Sequence, residues 1–398
     1  MRNLTRNRLI GAEDQYVAEV LNSEFRGSRA TNMVKRAEEC FALLTNSRFS
    51  IGFVNGTATL HTALESLNLQ PGDEVIVPPL TMSATAFSVL QANAVPIFAD
   101  VDRDTYQISV EGVKNRITER TKAIITVALY GTCPDYYPLL KIAGQIPIIE
   151  DNAEAIGTTY DGKIIGSFGA FGSYSFQSSK HLSAGEGGML TCNTEELATK
   201  ARKIQSLGYS AVGATKSKIS KHEIQSPDYL RHEVLGWNYR MSDLTAAVVL
   251  GQIESAKYLG DIRMKAATNF SHALDSCKWL KPQETNALAN HSFWAFPVTI
   301  QRDDISWFEF RDQFKLQGGK GIYAAWQLTY LEPVFKNRNF LGRERFMPED
   351  YFDKFGEGYC PNAEYLQPRI LAFRTNEWDL DESKHQADAL FKTIELFN

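Results

Sequence analysis

The stretch Tyr174–Leu190, YSFQSSKHLSAGEGGML, decides how the rest of this chain is read. A strand candidate rich in hydroxyls, Gly172–Phe176, runs towards Lys180, and Gly185, Gly187 and Gly188 form a dense turn just beyond it. Lysine is costly to bury, and when desolvated among small residues it makes a good nucleophile for aldehydes. The alternative is a surface lysine in a loop, the ordinary fate of any one of the 42 Lys and Arg residues.

Two other stations, both upstream, bear on that choice. In Ile149–Gly157, IEDNAEAIG, two acids close an apolar strand at its C-terminal end, where open α/β sheets bind ligands. Asp151 suits a protonated ring nitrogen or a metal, or else it caps the following helix. In Asn55–Thr59, NGTAT, a Gly-Thr pair between a strand candidate and a helix offers backbone N–H groups and a hydroxyl to a phosphate. The plainer reading there is a glycine turn followed by a Thr cap. A phosphate cradle, a strand-end carboxylate and a lysine on a later strand are together what pyridoxal phosphate requires: the lysine forms the Schiff base, the carboxylate holds the pyridinium proton and the cradle anchors the phosphate.

The surrounding pattern supplies a scaffold. Strand candidates Glu74–Pro78, Val95–Ala99, Lys122–Ala128, Pro147–Glu150 and Gly172–Phe176 alternate with helix candidates Thr57–Leu67, Thr81–Gln91, Ser109–Ile117 and Glu195–Leu207. Strands spaced by helices predict an α/β fold with a mostly parallel central sheet. Ser242 opens a long apolar helix, Ser242–Leu259, which leads to a further strand candidate, His291–Ile300, and a closing helix, Glu382–Leu396. We therefore expect a large cofactor-binding domain over residues 1–260, including the N-terminal segment, and a smaller α+β C-terminal domain over 261–398.

Composition closes off other classes. With 398 residues, 43% apolar and 22% charged, the chain is neither disordered nor collagenous nor a coiled coil. A net charge of -5 gives no basic surface for duplex nucleic acid. The longest apolar stretches, such as Ala123–Tyr130, are too short to span a bilayer, and the basic N-terminus is followed by polar residues rather than a signal-peptide core. Five scattered cysteines without CxxC spacing suit buried thiols in a reducing compartment, so no metal, no membrane and a cytoplasmic location are expected.

The chain resembles the DegT/DnrJ/EryC1/StrS family of sugar aminotransferases, pyridoxal-phosphate enzymes of the aspartate-aminotransferase fold. The likeness is carried by PGDEVIVPP (Pro71–Pro79), VPIFADVD (Val95–Asp102), EDNAEAIG (Glu150–Gly157), the Tyr174–Leu190 stretch and GWNYRMSDLTAAVVLGQ (Gly236–Gln252). The resemblance implies that Lys180 is the Schiff-base lysine, that Asp151 pairs with the pyridine nitrogen, and that Gly56, Thr57 and Ser175 hold the phosphate. It implies that Asn238 reaches the phosphate of a neighbouring subunit, so a homodimer with shared active sites is expected. Three departures stand out. Glu154 occupies a position most often Gln or His, beside the cofactor's phenolic oxygen, although Glu occurs there in perosamine-synthase-like members; Met82 stands where an aromatic residue commonly stacks on the ring and can still contact it through its sulfur; Ala128 replaces a histidine. The implied activity is transfer of an amino group from L-glutamate to a nucleotide-linked 4-keto-6-deoxy sugar, giving a 4-amino sugar nucleotide of the perosamine kind for O-antigen, lipopolysaccharide or other surface glycans. The rivals are a 3-dehydratase, in which histidine replaces the Schiff-base lysine, a 3-keto-sugar aminotransferase, a non-catalytic sensor, and a cyclitol or aminobenzoate-type enzyme. Lys180 stands five residues before Gly185, in the family register, which disfavours His181 as a dehydratase histidine. Two features remain open: the basic segment Ser206–Glu233, either a solvated loop or a flap over a nucleotide, and Trp326 with Tyr330, either cleft-lining or core.

Overall fold

The computed structural model describes residues 8–26 and 29–398; the first seven residues of the basic N-terminus lie outside the described residues. Nine strands precede residue 193: β1 Phe49–Phe53, β2 Glu74–Val77, β3 Val95–Phe98, β4 Thr121–Val127, β5 Ile148–Asp151, the short pair β6 Thr159–Tyr160 and β7 Lys163–Ile164, β8 Phe171–Ser175 and β9 Gly188–Cys192. Seven of them form one sheet in the order β1-β9-β8-β5-β4-β2-β3. Strands β8, β5, β4, β2 and β3 run parallel. Only β9 is antiparallel to its neighbours, β1 and β8. The runs EVIV and IIED are buried throughout, as parallel strands covered by helices on both faces must be. The expected mixed α/β architecture with its mostly parallel sheet is present.

A second sheet contains β10 Leu280–Pro282, β11 Ala295–Ile300, β12 Ile322–Ala324 and β13 Ile370–Arg374, antiparallel in the order β10-β11-β13-β12. Its core packs Phe296, Phe373 and Val298 against Phe270, Phe310 and Leu390 from flanking helices. Between β12 and β13 the chain makes an excursion that returns to the large sheet, where the Tyr351 hydroxyl donates to the Pro96 carbonyl at 2.6 Å. That excursion ties the two sheets together beside the outermost strand β3, an edge that would otherwise be open.

Two elements differ from expectation. The helix opened by Ser242 is two helices, Asp243–Glu254 and Ala256–Ala273, interrupted at Ser255. The Ser255 hydroxyl donates back to the Gly251 carbonyl at 2.9 Å, and such back-bonding bends helices. The strand expected from His291 begins only at Ala295, because Phe293 takes φ 51 and turns the chain before it can pair. Among the described residues, no helix is long and apolar enough to cross a membrane.

Candidate active site

The C-terminal ends of β5 and β8 and the start of the helix Gly56–Ser66 converge on a cavity of about 840 Å³, closed from the other side by β11 and β13. Asn55 shapes one wall. Its extended backbone lets the side chain cap the helix by accepting from the Ala58 N–H at 2.8 Å, leaving Gly56 and Thr57 at the helix N-terminus facing the cavity. A Cβ on Gly56 would stand 2.9 Å from the Ser175 Cβ, so this close approach of helix and strand admits only glycine. The resulting rim of backbone N–H groups and the Thr57 and Ser175 hydroxyls has the donor set that a phosphate cradle needs.

Asp151, last residue of β5, points into the same cavity yet is only 6% exposed. Its carboxylate accepts from the Thr85 hydroxyl at 3.0 Å and from the Ala153 N–H at 3.2 Å. Burial pushes its pKa up to about 6 against these two hydrogen bonds and the positive Lys180. A carboxylate so desolvated lacks a cation, and a ring N–H⁺ directed at it would supply one. This unmet demand, with the glycine-gated cradle, fits pyridoxal phosphate.

Lys180 lies in the turn after β8, with its side chain 12% exposed. Its Nζ donates to Glu154 Oε1 at 2.9 Å and sits 4.9 Å from the centre of the Trp294 ring. The other Glu154 oxygen accepts from the Tyr130 N–H at 3.2 Å, an orientation made possible by the left-handed backbone of Tyr130 and Gly131. Gly131 is required as well: a Cβ there would stand 2.6 Å from the Phe293 nitrogen. The carboxylate that replaces the usual Gln or His thus finds its counter-ion in Lys180. His181, next in sequence, faces away: it is buried, bonds the Ser292 carbonyl at 3.0 Å, and desolvation holds its pKa well below the usual histidine range.

The structure therefore brings Gly56, Thr57, Met82, Asp151, Ser175 and Lys180 to one cavity, with Glu154 directly behind Lys180. Met82 is 53% exposed at the rim. Asn238 does not line this chain's cavity; it lies in an exposed stretch bridged to Ser206, beside Tyr239, whose carbonyl accepts from Val54 N–H at the end of β1. Trp326 lines the cavity, whereas Tyr330 is core, donating its hydroxyl to Glu364 at 2.7 Å. Segment 206–233 contributes nothing to the cavity wall. Sequence reasoning missed Thr85, Gln177, Trp294, Tyr323, Arg374 and Asn376. Of these, only Gln177 lay inside a quoted motif; the others come from elements whose sequence carries no local signature. Arg374, at the end of β13, directs a guanidinium into the cavity, steadied by Asn376 at 3.2 Å.

Comparison with known proteins agrees with this geometry. Residues 7–347 match the DegT/DnrJ/EryC1/StrS aminotransferase family. The chain is 33% identical over 292 residues to a GDP-perosamine synthase of Escherichia coli O157:H7, covering 73% of this chain and 75% of that one. It is 32% identical over 345 residues to a UDP-N-acetyl-3-dehydro-alpha-D-glucosamine 3-aminotransferase of Acidithiobacillus ferrooxidans, covering 86% and 83%. An E. coli GDP-4-keto-6-deoxy-D-mannose-3-dehydratase, solved with hydrated pyridoxal phosphate, superposes with a TM-score of 0.80 at 25% identity, covering 95% and 96%. Pyridoxal phosphate is accordingly the cofactor; this chain belongs to the DegT/DnrJ/EryC1/StrS aminotransferase family and, like its homologues, is a pyridoxal-phosphate-dependent sugar aminotransferase.

Proposed function

We propose that the protein moves an amino group from L-glutamate to a nucleotide-linked 4-keto-6-deoxy sugar, giving a 4-amino-4,6-dideoxy sugar nucleotide for lipopolysaccharide O-antigen or related surface glycans. The observation that carries this reading is the convergence of the Lys180 ammonium, the Asp151 carboxylate and the Gly56 cradle on one cavity also reached by Arg374. Bound pyridoxal phosphate supplies an electrophilic aldehyde carbon and a ring that draws electrons from the carbon being deprotonated. Gly56, Thr57 and Ser175 would hold its phosphate, and Asp151 would keep the ring nitrogen protonated. Lys180 would offer its Nζ as the capturing amine and would serve as the base and acid that moves the donor's proton. Glu154 accepts from the Lys180 ammonium at 2.9 Å and would hold it in the cavity between these tasks. Trp294 excludes water from the ammonium's open side. Arg374 offers a carboxylate of L-glutamate a charge-assisted hydrogen bond. Trp326 and Met82 give the sugar nucleotide an apolar rim.

Asn238, outside its own chain's cavity, is assigned to the phosphate of a second copy, in a cytoplasmic homodimer with shared sites. In the same scheme, residues 1–260 form the cofactor-binding domain and 261–398 the smaller one. A second reading, amination at C3, is favoured by the similarity to the Acidithiobacillus enzyme. The test is purified protein with L-glutamate and, separately, a GDP-linked 4-keto-6-deoxyhexose and a UDP-linked 3-keto sugar, with product identified by mass spectrometry and NMR. The account expects the 4-amino product; turnover of the 3-keto substrate alone would replace it with the second reading.

A further inference from the structure

Two guanidinium groups reach the backbone carbonyl of Lys180. Arg263, in the helix Ala256–Ala273, is 1% exposed and fully surrounded by protein. Among the described residues no carboxylate lies within ion-pair distance of it; its hydrogen bonds go to carbonyls and a hydroxyl. One terminal nitrogen donates to the Ser179 and Lys180 carbonyls, both at 3.1 Å. The other donates to the Trp294 carbonyl at 2.8 Å and the Thr375 hydroxyl at 3.0 Å. Arg8 approaches the same turn from the N-terminal segment. It donates to the Ser178 carbonyl at 2.7 Å, the His181 carbonyl at 3.0 Å and the Lys180 carbonyl. The Trp378 ring lies 5.3 Å from one guanidinium carbon and 5.7 Å from the other. Trp294 completes the set, donating its indole N–H to the Ser179 carbonyl at 2.9 Å.

All four consecutive carbonyls from Ser178 to His181 are thus held by side chains, drawn from residues 8, 263 and 294. A turn would ordinarily leave such carbonyls to water or to its own backbone. Burying a guanidinium without an anionic partner is unfavourable, and burial lowers the pKa of Arg263 to about 9 and of Arg8 to about 10. An expensive clamp confined to the four residues around the reactive lysine calls for a reason at that lysine. With its backbone gripped on one side, Lys180 retains freedom only in its four-carbon stem, whose Nζ must swing between Glu154 and the cofactor.

We propose that Arg263 and Arg8 are positioning residues which fix the Lys180 backbone so that its amine meets the cofactor aldehyde in a reactive geometry. The inference rests on the reading of Lys180 as the residue that captures the cofactor.

Rapid mixing of cofactor-free protein with pyridoxal phosphate separates docking from capture. The half-saturating concentration reports the Gly56 cradle, and the limiting rate of growth of the visible band reports how Lys180 is presented. We expect R263M to lower the limiting rate roughly 10- to 100-fold, R263K to restore part of it, and R8Q to lower it several-fold, with half-saturation within about twofold. In the cofactor-free variants, amides 178–183 should exchange hydrogen faster than in wild type. Because R263M can fail to fold, R8Q carries the decision. A wild-type limiting rate and wild-type exchange of amides 178–183 in R8Q, with only a lower melting temperature, overturn the clamp alone. A band in Lys180→Ala equal to that of wild type overturns the Lys180 assignment and the clamp with it.

Discussion

Two polar, lysine-bearing segments of this chain look alike in sequence and differ completely in structure. In the turn 178–183, Lys180 is buried against Trp294 and Glu154, and side chains from distant elements take up its backbone carbonyls. In segment 206–233, Lys216, Lys218, Lys221 and His222 are exposed, and Lys216 pairs at 2.7 Å with Glu223 of its own short capped helix Lys221–Gln225. The lysine of the first segment is held by distant elements, whereas Lys216 of the second is held by its own segment. A lysine becomes a reagent when its surroundings remove water and fix its backbone; otherwise it remains a solvated charge.

The strongest way to break this contrast is to delete the reagent. Lys180→Ala should lower amino transfer by at least about 10³-fold while secondary structure, read by circular dichroism, is unchanged. Removing the anion across the cavity comes next. Asp151→Asn should cost about 10²–10³-fold in turnover. It should also stabilise the cofactor-free protein at neutral pH. The sign follows from linkage: the carboxyl's pKa is about 6 when folded, above its ordinary 3.8, so the native state holds the extra proton between these values. Its stabilising contribution is full below about pH 4 and lost as pH rises through 6, a difference of up to about 3 kcal/mol that Asn abolishes. Denaturant melts at pH 4, 5, 6 and 7 read this directly; identical pH slopes in wild type and variant would refute it.

A smaller effect is expected at the cradle. Gly56→Ala places a methyl 2.9 Å from the Ser175 Cβ, and cofactor affinity measured by absorbance titration should fall about tenfold. The smallest belongs to the exposed segment. Replacing Lys216, Lys218 and Lys221 together with Gln should leave the melting temperature within about 1–2 °C and the reaction with L-glutamate unchanged. A several-fold rise in KM for the sugar nucleotide alone would assign the segment to substrate capture; no change would leave it a solvated loop.

The same contrast explains what could be read before the structure. The meeting of Asp151 and Lys180 at one cavity was legible because both sit in contiguous motifs, and apolar runs such as Val75–Val77 have few alternatives to buried parallel strands. The break at Ser255 was not legible, since a lone serine in an apolar helix has no fixed consequence until its hydroxyl finds a carbonyl. Trp294, Arg374 and Arg263 were invisible for a different reason. Arg263 and Trp294 bond carbonyls far away in sequence, as with Arg263 and the Lys180 carbonyl 83 residues earlier, and Arg374 meets the cavity only where the second sheet packs against the first. Trp326 and Tyr330, four residues apart, show the limit clearly: one faces the cavity and the other faces Glu364 in the core.

The measurement that bears most directly on this account is covalent fixation of the cofactor. Cofactor-loaded protein would be treated with borohydride and digested, and the peptides mapped by mass spectrometry. The account predicts a single pyridoxyl-phosphate adduct on Lys180, absent after Lys180→Ala. An adduct on any other lysine, or none on a protein that carries the cofactor, would contradict it.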